Sequence, residues 1–139
     1  MTPPTFVLDA WALLAFLQGE EPAAARVAFL LRAHADSQAE LFVSVINLGE
    51  VFYRLGRTVG VSAAERVMED IREMGLNVLP ADEATVFHAA RLKALHRISY
   101  ADAFAAAAAE SRGGTLVTGD AELKAVDWPF PLEFLSRER

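Results

Sequence analysis

Four acidic residues stand inside the most apolar segments of this chain. They are Asp9 in FVLDAWALLAF, Glu50 in SVINLGEVFYR, Asp102 in ISYADAFAAAAAE and Asp120 in TLVTGDAEL. Carboxylates ordinarily spread over a solvated surface, where hydration is cheap. If these four converge, each close pair repels by roughly 4 kcal/mol at the effective dielectric of a protein surface. A divalent cation removes that repulsion, and oxygen-only ligands suit Mg2+ or Mn2+. The chemistry expected of such a set is that of an acidic metal site.

Each acid also has a purely local explanation. Asp9 and Asp120 suit helix N-caps. Glu50 can pair with Arg54 four residues on. Ser99-Tyr100-Ala101-Asp102 reads as a capping-box variant with Asp102 at the third helical position. Taken together the acids say more, because four caps need not lie in one relation to a sheet, whereas four ligands must. Their neighbours carry two readings as well. The hydroxyls of Thr118 and Ser99 could orient a carboxylate, or end a strand and cap a helix. Asn47 could hold the Glu50 carboxylate or cap its helix. Glu122 could reach a metal, or be a first-turn acid favoured by the helix dipole.

The elements that must position these residues follow from hydrophobic period and turn chemistry. Strands are expected at 5–8, 41–45, 76–79 and 115–118, with a last edge strand at 132–135. Helices are expected from Asp9 to Gly19, over 22–36, from the second strand through about Arg57, over 82–97 and over 100–112, with a short one after Asp120. Ser62-Ala63-Ala64-Glu65 matches a capping box, with Val67, Met68, Ile71 and Met74 continuing a helical stripe. Short apolar strands alternating with helices predict an α/β protein with a parallel sheet of four to five strands covered on both faces. In such folds ligands gather beyond the carboxyl ends of the strands, near the point where strand order reverses. Asp9 and Asp120 follow the first and fourth strands.

With 139 residues, no linker, no repeat and no charge block, the whole chain 1–139 reads as one domain. The absence of cysteine excludes disulfides and thiolate zinc sites. No basic-then-apolar leader is visible, and the apolar run from Trp11 to Leu17 is too short to span a bilayer. A soluble, cytoplasmic protein without membrane association is expected. The net charge of −6 argues at first against nucleic acid, but acids inside a metal site are offset by the ion they hold. Arg54 and Arg57, then Arg91, Lys93 and Arg97, form two basic stretches that could meet phosphates. His34, His88 and His96 lack metal-ligand spacing and read as structural. No nucleophile elbow or phosphate-cradling glycine loop is present. Receiver-type phosphotransfer would need an adjacent acidic pair, and dehalogenase-type chemistry an acid where Trp11 stands.

In this order and in a chain of this length, FVLDAWALLAFL, VINLGEVFYRLGR, ISYADAFAAAAAE and TLVTGDAELKAV resemble the PIN domain family, specifically the VapC-type toxin ribonucleases. The resemblance implies an α/β/α sandwich around a parallel sheet, with Asp9, Glu50, Asp102 and Asp120 grouped in one groove. It implies endonucleolytic cleavage of RNA dependent on Mg2+ or Mn2+. Asp9 would be the central ligand, Asp102 and Asp120 would complete the shell, and Glu50 would act through water. Thr118 matches a hydroxyl residue often found two before the last acid. From their spacing alone, and not from the resemblance, Arg54, Arg57 or Arg97 would contact RNA phosphates. A homodimer and a cognate antitoxin protein are the implied partners. One position departs from the family pattern: the second residue after the first acid is commonly Ser or Asn, and here it is Trp11. Trp11 either packs in the core or flanks the groove, where it could stack on a base. The competing readings are a PIN nuclease that processes RNA without being a toxin, and a catalytically silent α/β module that binds a protein.

Overall fold

The computed structural model describes residues 2–138; the two end positions of the expected 1–139 domain lie outside the described residues. Five strands form one sheet: β1 (Thr5–Leu8), β2 (Glu40–Ser44), β3 (Asn77–Leu79), β4 (Thr115–Thr118) and β5 (Leu132–Phe134). Their spatial order is β3-β2-β1-β4-β5, and every pairing is parallel. The chain therefore builds outward from β1 in one direction, then returns to build β4 and β5 on its other side. The reversal falls between β1 and β4.

Among the described residues seven helices accompany the sheet: α1 (Ala10–Leu17), α2 (Ala23–Ala35), α3 (Val45–Val59), α4 (Val61–Glu73), α5 (Glu83–Leu95), α6 (Tyr100–Arg112) and α7 (Ala121–Lys124). The strands sort their side chains with period two, as a pleated sheet requires. In register, Leu8 lies beside Val117 and Phe6 beside Leu41, facing a core built with α1 to α4. Val7 lies beside Leu116 and Phe42, facing a second core built with α5 and α6. Two cores on opposite faces of one sheet make the three-layer α/β/α arrangement.

Helix α6 has a run of residues, Asp102 to Ala109, that is buried throughout. Alanine supplies almost no side-chain bulk, so this helix can lie close against β1, β2 and β4 while also touching α3 and α5. The consequence for chemistry is that its N-terminal acid is carried down onto the sheet. At the other end Gly113 adopts a left-handed conformation (φ 62°) and stops the helix.

Most expected boundaries lie within two residues of those observed. The capping box at Ser62 is not one of them. Gly60, at φ 93°, both ends α3 and starts α4, so Ser62 falls within the first turn and makes no cap. The helix starts earlier than the motif implied because the glycine turn leaves no room for an extended residue at 62. His34 is structural: Nε2 donates to the Gly75 carbonyl at 2.9 Å, and Nδ1 accepts the Leu41 backbone N–H at 3.2 Å. His88 pairs with Glu110, and His96 packs edge-on against Trp128. Among the described residues, no helix is long and apolar enough to cross a membrane.

Candidate active site

Asp9 follows β1 and Asp120 follows β4, so both stand at the carboxyl ends of the two strands that flank the reversal. Each caps the helix that follows: Asp9 Oδ1 accepts from the Ala12 N–H at 2.8 Å, and Asp120 Oδ1 accepts from the Glu122 N–H at 2.9 Å. Capping and site formation are thus not alternatives. The cap fixes the rotamer, and the strand end fixes where it points. Thr118 ties the pair together, donating its hydroxyl to Asp9 Oδ2 while accepting from the Asp120 backbone N–H at 3.0 Å. The last residue of a buried strand is an economical place for such a bridge, since its backbone is already held by the sheet.

Asp102 arrives from the other side at the start of α6, where Ser99 Oγ caps the helix by accepting the Asp102 N–H at 3.1 Å. Glu50 lies one and a half turns into α3 and pairs with Arg54 Nη2 at 3.0 Å. Asn47 does not cap α3; Ser44 does, through the Ile46 N–H. Instead Asn47 is fully buried and donates from Nδ2 to the Ala101 carbonyl at 3.1 Å. That bond ties α3, which carries Glu50, to the residue before Asp102, and both acids line one cavity. Its Oδ1 is buried with no partner among the described residues.

A cavity of about 440 Å³ opens over these groups, lined by Glu50, Asp102, Asp120, Arg54, Arg57 and Arg137, among others. Asp9 lies beneath it, essentially out of solvent. Burial is the largest influence on Asp9 and raises its carboxyl to about 7. Hydrogen bonds from Thr118 and Ala12 oppose the rise, and the charges of Asp120 and Glu50 add to it. Asp102 is raised further, to about 8, first by desolvation, then by hydrogen bonding and charge repulsion from Asp120 and by the charge of Asp9. The four acids therefore share one electrostatic site. Among the described residues, no three are close enough to form a finished ion cage. Thr118 and Arg54 hold two of the acids to themselves. Donor chemistry nonetheless fits a hard divalent cation: the set is all oxygen, and burial and mutual repulsion raise two of its carboxyls toward neutral pH.

Not every candidate is brought here. Glu122 is exposed on α7, where its backbone rather than its carboxylate meets the site. Arg97 is exposed on the loop between α5 and α6 and does not line the cavity. Arg91 and Lys93 lie on α5, outside it as well; Lys93 donates to the Ile98 carbonyl. Trp11 lines the cavity and also packs against the core of α1 to α4.

Two residues that sequence reasoning passed over belong to this site. Gly119 is one. A Cβ there would lie 2.3–2.4 Å from Cζ2, Cε2 and Cη2 of Trp11, near-equal distances that place the glycine against a face of the ring. The other is Arg137, whose guanidinium carbon lies 5.0 Å from the centre of the Trp11 ring. In sequence Gly119 is a turn glycine and Arg137 a polar residue near the end; only a tryptophan at 11 would have hinted at either. Gly119→Ala is expected to cost about 1–3 kcal/mol by overpacking, because the ring is wedged against core and cannot simply swing away. Thermal denaturation would read this as a lowered midpoint, and the Trp11→Phe background should recover part of it.

A PIN domain family model matches residues 6–129, and the chain belongs to that family. A sequence comparison with curated proteins returns no match. Among solved structures, VapBC2 of Rickettsia felis, bound to a promoter DNA fragment, is similar with TM-score 0.71 and 17% identity, over 95% of this chain and 99% of that one. VapC20 of Mycobacterium tuberculosis, described as a sarcin-ricin loop cleaving toxin, is similar with TM-score 0.68 and 19% identity, over 89% and 95%. PAE2754 of Pyrobaculum aerophilum is similar with TM-score 0.64 and 25% identity, over 90% and 85%.

Proposed function

We propose that this protein is a divalent-metal-dependent endoribonuclease and the toxin of a toxin–antitoxin pair. The observation that carries the reading is the meeting of Asp9, Glu50, Asp102 and Asp120 at the sheet reversal, beneath a cavity rimmed by arginines. Asp9, Asp102 and Asp120 would hold Mg2+ or Mn2+. Such an ion, when bound, supplies charge neutralisation at the attacked phosphate and acidity to a water. The remaining roles belong to the chain. Thr118 keeps the Asp9 carboxylate in one orientation, and Asn47 keeps α3 and α6 in register. Glu50 would take a proton from an attacking water or position it. Arg54 and Arg57 offer charge to the RNA backbone, which is how nucleic acid is held without regard to sequence.

The partners follow from the kinship with VapBC structures: an antitoxin protein that covers the groove, and a second copy of this chain. Cytoplasmic RNA is the substrate class. The test is incubation of purified protein with structured and single-stranded RNA, with Mg2+ or Mn2+ and then with excess chelator. Internal cleavage that chelation abolishes is expected, together with growth arrest on expression that a small neighbouring gene product relieves. Cleavage without growth arrest would leave a processing nuclease, and no metal-dependent cleavage of any RNA would sink the proposal.

A further inference from the structure

The chain beyond β5 returns across the front of the molecule and is stitched down at each step. Leu135 N–H donates to Thr118 O at 2.7 Å, Ala23 N–H to Ser136 O at 3.1 Å, and Glu138 N–H to Glu21 O at 2.8 Å. An antiparallel bridge joins Arg137 to Pro22. This arm delivers one cation to the acid groove. Arg137 lines the cavity with Asp102 and Asp120, lies over the Trp11 ring and pairs through Nη1 with Glu20 at 3.0 Å.

A guanidinium has five N–H donors in a planar fork. Among the described residues Nη1 makes its only hydrogen bond, so the plane is fixed by one anion and one aromatic face while other donors remain for a ligand. A cation beside three carboxylates would normally swing onto one of them. Here Glu20, outside the acid set, and the indole hold it instead. The indole is itself held, because Gly119 lets the ring lie against the backbone.

We propose that Arg137 is a substrate-binding residue that grips a backbone phosphate of single-stranded RNA next to the one attacked, and that Trp11 is its positioning residue. This rests on the nuclease reading above and adds to it. Planar, two-pronged contact with phosphate is what a guanidinium does better than an ammonium. Stacking on indole pre-orders the side chain, so less entropy is lost on binding. The tryptophan at position 11 thus acts as the seat of an arginine and not as a stacking platform for a base. An arginine reaching the groove from the chain's far end supplies the charge that α5 does not.

The test is fluorescence anisotropy of a labelled, mixed-sequence single-stranded RNA with the full-length chain, across a salt series, with Ca2+ in place of Mg2+ to slow turnover. Arg137→Ala is expected to weaken binding about tenfold and to reduce the slope of log affinity against log salt by about 0.7, the value for one phosphate contact on a single strand. Arg137→Lys should restore the slope but only part of the affinity. Trp11→Phe should fall between wild type and Arg137→Ala, with an unchanged salt slope. The double variant Trp11→Phe/Arg137→Ala should bind no more weakly than Arg137→Ala, because the ring acts only through the arginine. Thermal midpoints of each variant confirm folding. Wild-type affinity and slope in Arg137→Ala would overturn the inference while leaving the nuclease reading intact. Tighter binding by Arg137→Ala would also overturn it, marking Arg137 as an internal counter-charge to the acids. A wild-type chain that neither binds nor cleaves RNA would take down both.

Discussion

Asp9→Asn is expected to abolish metal-dependent RNA cleavage while leaving the fold in place. Loss of a partner in the outer shell of a metal site typically costs 10–100-fold in affinity or activity, and loss of a ligand costs more. A reduction of more than about a hundredfold in kcat is therefore the expected reading. The fold should survive because the amide keeps most of what the carboxylate does locally. Its oxygen can still accept the Ala12 N–H that starts α1. What is lost is the charge, and the buried charge is a liability to the metal-free fold rather than a support.

Asp102→Asn should behave alike, for a related reason. The Asp102 backbone N–H, not its carboxylate, completes the Ser99 cap, so α6 starts normally with an amide at that position. Removing its charge also relieves the repulsion from Asp120 and Asp9. A variant with native circular dichroism, an equal or higher melting temperature without metal and no cleavage is the expected result for both substitutions. Cleavage retained in either rigorously purified variant would remove that acid from the catalytic set.

The positions of Asp9 and Asp120 were legible in the sequence because both sit at a junction that sequence marks well. A buried strand announces itself as a short apolar run, and an acid at its end announces the next helix. Thr5–Leu8 with Asp9, and Thr115–Thr118 with Asp120, are such junctions. The sheet reversal that brings them together follows from alternating strands and helices. What sequence could not carry were contacts whose meaning depends on distant partners. Gly119 is required by a ring 108 positions earlier, and Arg137 by the same ring 126 positions earlier. Asn47 looked like a local cap because its offset from Glu50 is right for one. Its actual bond crosses to α6, and the cap fell to Ser44, whose extended backbone at the end of β2 suits that role. Arg97 shows the converse: a charge near an acid in sequence, two residues before Ser99, whose helix carries Asp102 but not Arg97 into the cavity. Local chemistry was readable; the groove's far-side lining was not.

The metal-free protein should lose stability as pH rises from about 4 to about 8, and divalent cation should restore it only at the upper end. Asp9 titrates near 7 and Asp102 near 8 in the folded chain, against 3.8 for an unperturbed aspartate. Between those limits the folded state keeps protons that the unfolded state has released. The unfolded state then binds fewer protons, so stability falls with increasing pH across the window and levels off above it. Mg2+ or Mn2+ needs the ionised acids, so it competes with protons below about pH 8 and binds freely only above it. Ligand at a hundred times its Kd contributes about 2.7 kcal/mol. For a domain of this size that is a rise on the order of 10 °C in melting temperature. Scanning calorimetry at pH 5 and pH 8.5, with and without the cation, should show the rise at pH 8.5 and almost none at pH 5. In Asp9→Asn the metal-free curve should flatten, because one of the two buried titrations is gone. Equal cation effects at both pH values would mean that the ion binds elsewhere. No effect at pH 8.5 would mean that the four acids, though gathered in one groove, do not hold a metal.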